Sequence, residues 1–90
     1  MANITRSEGT NDVLHDTEEA DFIVGAGGED SLFGEGGDDV IDGGGASDKL
    51  YGGAGNDYLL GGGASDQLYG EDGDDTLIGG PGNDSLIAGA

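Results

Sequence analysis

The chain has 90 residues, 33% of them apolar, with 22 glycines and a formal charge of −18 from 20 Asp and Glu set against only Arg6 and Lys49. That length allows one small domain with a meagre core, and its glycines lose more backbone entropy on ordering than any other residue would. Nucleic acid and anionic membranes are disfavoured as partners of so acidic a chain. The absence of cysteine excludes disulfides and thiolate metal sites, and self-repulsion opposes any compact state in which no cation takes part.

Residues 1–6 read as a lead-in without pattern. From Ser7 onward the chain is periodic: Asp12, Asp21, Asp30, Asp39, Asp48, Asp57, Asp66, Asp75 and Asp84 stand nine residues apart. Two residues after each comes Leu14, Ile23, Leu32, Ile41, Leu50, Leu59, Leu68, Leu77 or Leu86. Numbering the nonapeptide so that this aspartate is its sixth position puts the Leu or Ile at the eighth. Glycine holds the first position at Gly25, Gly34, Gly43, Gly52, Gly61, Gly70 and Gly79. The repeats at 7–24 are degenerate: Ser7 and Asp16 replace the first glycine, and Thr10 and Glu19 the glycine of the fourth position. They are expected to cap the array. Seven fuller repeats occupy 25–87, followed by a tail at 88–90.

Each nonapeptide divides into a six-residue Gly/Asn/Asp loop and a three-residue extended piece with its middle residue apolar. Glycine and Asn/Asp favour turns, and the last three positions favour residues suited to strands. Side chains alternate along a strand, so the eighth residue faces one way and its neighbours the other. A three-residue strand is unstable alone but can form a continuous sheet when stacked, as in solenoids.

The similarity is tightest at eighteen residues. GGGASDKLY at 43–51 and GGGASDQLY at 61–69 differ at one letter, while GGAGNDYLL between them shares only the plan. Two repeats per coil explain this, with one strand in each of two facing sheets and in-sheet neighbours eighteen residues apart. The eighth-position Leu and Ile residues then point inward and form a thin core.

The pattern G-G-x-G-x-D-x-U-x, with U apolar, is that of the calcium-binding nonapeptide. GGAGNDYLL at 52–60 fits it throughout, and GGPGNDSLI at 79–87 and GEDGDDTLI at 70–78 nearly so. The chain resembles the repeats-in-toxin (RTX) family of hemolysin-type repeats over almost its whole length. The resemblance implies an all-β fold, a right-handed parallel β-roll built as a two-sheet solenoid. It also implies several bound Ca²⁺ ions, held between successive loops by aspartates and by backbone carbonyls. A hard dication requires six to eight such oxygens, and the repeat supplies both kinds.

Carried over, one edge holds Asp12, Asp30, Asp48, Asp66 and Asp84, and the other Asp21, Asp39, Asp57 and Asp75. Four adjacent pairs plus three give at most seven ions, and so about +14 against −18. Carbonyl ligands are expected from the loops containing Gly25, Gly34, Gly36, Gly43, Gly45, Gly52, Gly53, Gly55, Gly61, Gly63, Gly70, Gly73, Gly79 and Gly82. Asp12 and Asp21, in the degenerate repeats, are expected to bind weakly. Ala46 and Ala64 occupy the fourth position on the first edge, where Gly37, Gly55 and Gly73 stand on the second. If that position needs positive φ, alanine costs about 1–2 kcal/mol there, so Asp39–Asp57 and Asp57–Asp75 are expected to frame the best sites.

No other chemistry emerges. No EF-hand loop, dinucleotide fingerprint or phosphate loop is present, and His15 is a lone histidine in a degenerate repeat. The expectation is a calcium-folded module with no enzyme activity. The ninth positions of one sheet, His15, Phe33, Tyr51, Tyr69 and Ile87, form an outward column rich in aromatic rings. This column is either cross-strand packing or a contact surface for a parent domain, a second roll or a polysaccharide.

RTX proteins are similar in leaving the bacterial cell unfolded through a type I exporter and folding outside it. No apolar run resembles a signal-peptide core or a membrane span, so membrane insertion is not expected. The family's export signal lies beyond the repeats, and residues 88–90 do not supply one. An excised piece, an engineered block and a short natural protein all remain open.

Overall fold

A computed structural model describes the backbone of strands 4–6 and 13–15 and, with their side chains, residues 22–25 and 27–89. All its elements are three-residue strands. They are β1 (Ile4–Arg6), β2 (Val13–His15), β3 (Phe22–Val24), β4 (Ser31–Phe33), β5 (Val40–Asp42), β6 (Lys49–Tyr51), β7 (Tyr58–Leu60), β8 (Gln67–Tyr69), β9 (Thr76–Ile78) and β10 (Ser85–Ile87). The odd-numbered strands form one sheet in the order β1-β3-β5-β7-β9, and the even-numbered strands form the other, β2-β4-β6-β8-β10. Every pairing is parallel and offset by eighteen residues, as in Ile23↔Ile41 and Leu50↔Leu68. The fold is the expected two-sheet β-solenoid, two nonapeptides to a coil.

The ladders run on into the loops. The N–H of Gly34 donates to the carbonyl of Tyr51, and that of Gly52 to Tyr69, each at 2.8 Å. At the other end of the strands, the N–H of Tyr58 donates to the carbonyl of Asp39 at 2.8 Å, and that of Gln67 to Asp48 at 2.9 Å. Pairing therefore continues from the sixth position of one repeat into the first position of the next. This compensates for strands too short to be stable alone.

The core is one side chain thick. Ile23, Leu32, Ile41, Leu50, Leu59 and Leu68 have no exposed surface, Leu77 packs half-buried against them, and Leu86 is 45% exposed because no described strand lies beyond β10. The 15 Å short dimension of the molecule fits two sheets about 10 Å apart.

Two features depart from the sequence reading. β1 lies in the segment expected to be a lead-in and pairs with β3 through Thr5↔Ile23. Stepping back nine residues from Asp12 puts Asn3 at the aspartate position and Thr5 at the apolar one, so the periodicity does not show this strand, although backbone pairing tolerates both residues. The second departure concerns backbone strain. Position four has positive φ as anticipated, at 65° for Ala46 and 63° for Ala64. Position two has it as well, and on the second edge it carries Glu35 at 69° and Glu71 at 68°. Among the described residues each edge thus bears two non-glycine residues in the left-handed region.

Candidate metal centre

Each described loop closes on its sixth-position aspartate, just before a strand whose middle residue is buried in the core from β3 to β8, half-buried in β9 and exposed in β10. Asp30, Asp39, Asp48, Asp57 and Asp66 are thereby buried, each no more than 3% exposed, while Asp75 and Asp84 are half-buried. Stacking at eighteen residues arranges them in two files. Asp30, Asp48, Asp66 and Asp84 follow one edge of the roll, and Asp39, Asp57 and Asp75 the other. Asp12 and Asp21 lie outside the described residues.

Within each file one carboxylate oxygen is used by the neighbouring coil. The N–H of Asp30 donates to Oδ1 of Asp48, and that of Asp48 to Oδ1 of Asp66, each at 2.8 Å. The N–H of Asp66 donates to Oδ1 of Asp84 at 2.7 Å. On the second edge Asp39 donates to Asp57 and Asp57 to Asp75, both at 2.8 Å. The other oxygen is different: Oδ2 of Asp48, Asp57, Asp66 and Asp75 is buried without a hydrogen-bond partner. A buried carboxylate oxygen left so is costly, and native proteins rarely tolerate it unless an ion or another group completes it.

The first-position glycine makes room for this oxygen. A Cβ on Gly43 would stand 2.7 Å from Asp48 Oδ2 and 2.9 Å from the Gly61 carbonyl oxygen; on Gly52 the distances would be 2.6 Å to Asp57 Oδ2 and 2.9 Å to the Gly70 carbonyl. Any side chain there would displace the carboxylate or the next coil. By contrast, a Cβ on Gly45 or Gly63, at the third position, would meet nothing within 4 Å, so close approach does not demand glycine there.

Electrostatics point the same way. Burial raises the Asp48 carboxyl from 3.8 to about 7; the N–H of Asp30 pulls it down in part, and the charges of Asp66 and Asp30 push it further up. Burial likewise raises Asp57 to about 7, opposed by the N–H of Asp39 and reinforced by Asp39 and Asp75. Asp66 is raised for the same leading reason, with Asp84 adding to it. Without a counter-ion the carboxyls of Asp48, Asp57 and Asp66 resist ionisation, and a cation would relieve that resistance.

Among the described residues no three His, Cys, Asp or Glu side chains converge to form a metal site by themselves. Each described repeat contributes one sixth-position aspartate to its edge. A cation held here must therefore take much of its shell from backbone carbonyls, which suits a hard, oxygen-seeking dication.

A family model for the RTX calcium-binding nonapeptide repeat matches the chain four times, at residues 8–41, 25–59, 33–68 and 60–90. The chain belongs to that family. Its repeats are a structural calcium-binding module rather than an enzyme family. No curated protein and no solved structure matches the chain.

Two further arrangements of this RTX roll involve its outward residues. The expected aromatic column is a true stack: Phe33 and Tyr51 have ring centroids 4.6 Å apart and 4° between planes, and Tyr51 and Tyr69 are 5.0 Å apart at 7°. The second arrangement was not foreseen. On the second edge the exposed fifth positions form an outer ladder, in which the N–H of Asn56 donates to Asp38 Oδ1 at 2.7 Å and that of Asp74 to Asn56 Oδ1 at 2.8 Å. Its signal was present at the same eighteen-residue spacing, as Asp38, Asn56 and Asp74 stand where the first edge has Glu29, Ser47, Ser65 and Asn83.

Proposed function

We propose that this chain is a folding module that is disordered without calcium and assumes the two-sheet roll on binding it. In this reading the ions are held by Asp30, Asp39, Asp48, Asp57, Asp66, Asp75 and Asp84 with carbonyls of the adjoining glycine loops. The described aspartates make three adjacent pairs on the first edge and two on the second, and Asp12 and Asp21 would extend these to the upper limit of seven. A bound ion would supply positive charge, and the chain would supply its oxygen shell; the chain's own residues orient the carboxylates through the Oδ1 bonds and exclude side chains at the first glycine.

The observation that carries this reading is the buried, unpartnered Oδ2 of Asp48, Asp57, Asp66 and Asp75 in a chain of formal charge −18. With a core one side chain thick, binding free energy becomes folding free energy. RTX repeats are typical of secreted bacterial proteins. Extracellular calcium modules with dissociation constants of about 10⁻⁴–10⁻³ M fill outside the cell. The setting we infer is therefore a bacterial protein exported unfolded by a type I route, with no catalysis in this part of it.

Far-UV circular dichroism through a calcium titration, with magnesium as control, tests the reading. A disordered spectrum in chelator that becomes β-rich cooperatively near millimolar calcium is expected. A spectrum already β-rich in chelator, or equally responsive to magnesium, would defeat it.

The alternative use of the aromatic column, as a platform for polysaccharide, is less well supported. Sugars pack on open aromatic faces, and Tyr51 has both faces covered by Phe33 and Tyr69. The cleft beside the stack, lined by Phe33, Glu35, Tyr51, Gly53, Ala54 and Glu71, has a volume of about 240 Å³, below the range of roughly 300–1,000 Å³ usual for ligand pockets. Cross-strand packing accounts for the rings more simply.

A further inference from the structure

The outward faces of the two sheets differ. On the even sheet the aromatic column is flanked by a polar column of Ser31, Lys49, Gln67 and Ser85. On the odd sheet both columns are apolar for most of their length. Phe22, Val40, Tyr58 and Ile78 are 42, 37, 42 and 41% exposed. Within β3, β5, β7 and β9 only Thr76 and Asp42 interrupt the face, and Oδ1 of Asp42 is engaged by the N–H of Gly44 at 3.0 Å, towards the loop; beyond β3 the register places Arg6 of β1 next to Val24, at the far end from Thr76. Such a face stands out on a chain of formal charge −18.

Its dimensions restrict what can cover it. Three-residue strands are about 10 Å long, and the four strands β3, β5, β7 and β9 span about 14 Å at roughly 4.8 Å per step. An α-helix, about 10–12 Å across with its side chains, matches that width, and some ten residues match the height at about 1.5 Å each. The area, on the order of 200 Å², falls well below the roughly 800 Å² per partner of a stable protein interface, so apolar contact must be supplemented by charge. Charge is available along the seventh-position column, because the exposed Asp38 and Asp74 of the outer ladder stand two residues ahead of Val40 and Thr76. A second copy of this chain would bring like charges together. A segment with lysines or arginines beside its apolar stripe would bring opposite ones.

We propose that the outward face of the odd sheet docks a basic amphipathic helix of a partner protein, its apolar stripe on Val40 and Tyr58 and its cationic flank on Asp38 and Asp74. This rests on the calcium-folded reading, since the face exists only in the folded roll.

The test uses the full chain in saturating calcium, with circular dichroism recorded on the same samples. The probe is a 14-residue peptide of Leu and Lys whose leucines form one helical stripe; its control is a scrambled peptide of the same composition. The chain has three tyrosines and no tryptophan, so replacing Tyr51 and Tyr69 with Phe leaves Tyr58 as the only reporter. The striped peptide should change Tyr58 emission and bind at least tenfold more tightly than the scrambled one. The double substitution Val40→Thr and Tyr58→Thr, which removes that reporter, should weaken binding at least tenfold by isothermal titration calorimetry while β structure is retained. Equal binding of the two peptides, unchanged Tyr58 emission, or a calcium-dependent dimer in sedimentation that this double substitution abolishes would overturn the proposal. If the double variant does not fold, Tyr58 emission alone decides. A chain that stays disordered in calcium defeats the calcium reading and this one together, whereas a folded chain indifferent to the stripe defeats only this one.

Discussion

The two edges of the roll do the same electrostatic work with different local sequences. On the first edge Ala46 and Ala64 hold left-handed backbone at the fourth position; on the second, Glu35 and Glu71 hold it at the second. The second edge adds the outer ladder of Asp38, Asn56 and Asp74. Yet the inner files match bond for bond, with aspartate N–H to Oδ1 distances of 2.7–2.8 Å on both. The geometry of the buried carboxylate is therefore conserved between edges, while the strain of the turn is accepted wherever the loop allows it.

The largest expected effect is one that both edges share. Asp48 on the first and Asp57 on the second are both raised to about 7 by burial. A carboxyl with a raised folded-state pKa binds its proton more tightly in the roll than in the disordered chain. Its stabilisation of the metal-free roll is fully present below about 3.8 and is lost as pH rises through about 7. Calcium requires the ionised form, so its contribution runs the opposite way. In chelator, acidification from pH 8 to pH 4 should increase β structure, and at limiting calcium the same change should release the ion. Circular dichroism with a calcium electrode reads both. A metal-free chain that loses structure on acidification would mean that these carboxylates are not buried as described.

Next in size are substitutions confined to one edge. Gly43→Ala places a Cβ against Asp48 Oδ2 and the Gly61 carbonyl, and Gly52→Ala does the same at Asp57 and Gly70. Overpacking of this kind costs about 1–3 kcal/mol, and the displaced carboxylate also weakens the site. Each variant should raise the calcium midpoint for folding several-fold, and by similar amounts. A large effect from one and none from the other would show that a single file carries the fold.

The smallest effect concerns the strained residues. Ala46→Gly with Ala64→Gly relieves the first edge, and Glu35→Gly with Glu71→Gly the second. Relief of about 1–2 kcal/mol per residue is partly offset by the entropy glycine adds to the unfolded chain, about 0.4–1 kcal/mol. Each change should therefore stabilise the calcium-loaded roll by roughly 0.5–1 kcal/mol, measured by urea unfolding. A greater gain on one edge would identify where the backbone is more tightly held.

Much of this architecture was legible because one residue type serves one purpose at each position. Leu or Ile at the eighth position and Asp at the sixth recur without a miss, so the strands, the alternation between sheets and the two files could all be read from spacing. What escaped notice had chemical disguise. β1 is held by backbone pairing, and Thr5 gives no apolar signal for it. Position two hides its left-handed turn because glutamate twice stands where glycine would have declared it. The apolar face of the odd sheet was overlooked because Phe22, Val40 and Tyr58 differ in kind, unlike the aromatic rings of the even sheet. The unpartnered Oδ2 atoms could not have been foreseen at all, since only coordinates tell one carboxylate oxygen from the other.

The eighteen-residue offset, seen in pairs such as Leu50↔Leu68, also restricts how such a chain can change length. Removing or adding eighteen residues takes out or inserts one whole coil and leaves every later residue in its own sheet and file. Removing nine sends each later strand to the opposite sheet, splits the Phe33–Tyr51–Tyr69 stack between faces, and sets Ala46-type turns beneath Glu35-type ones. The near-identity of GGGASDKLY and GGGASDQLY fits growth by whole coils, for which length is quantised in steps of eighteen.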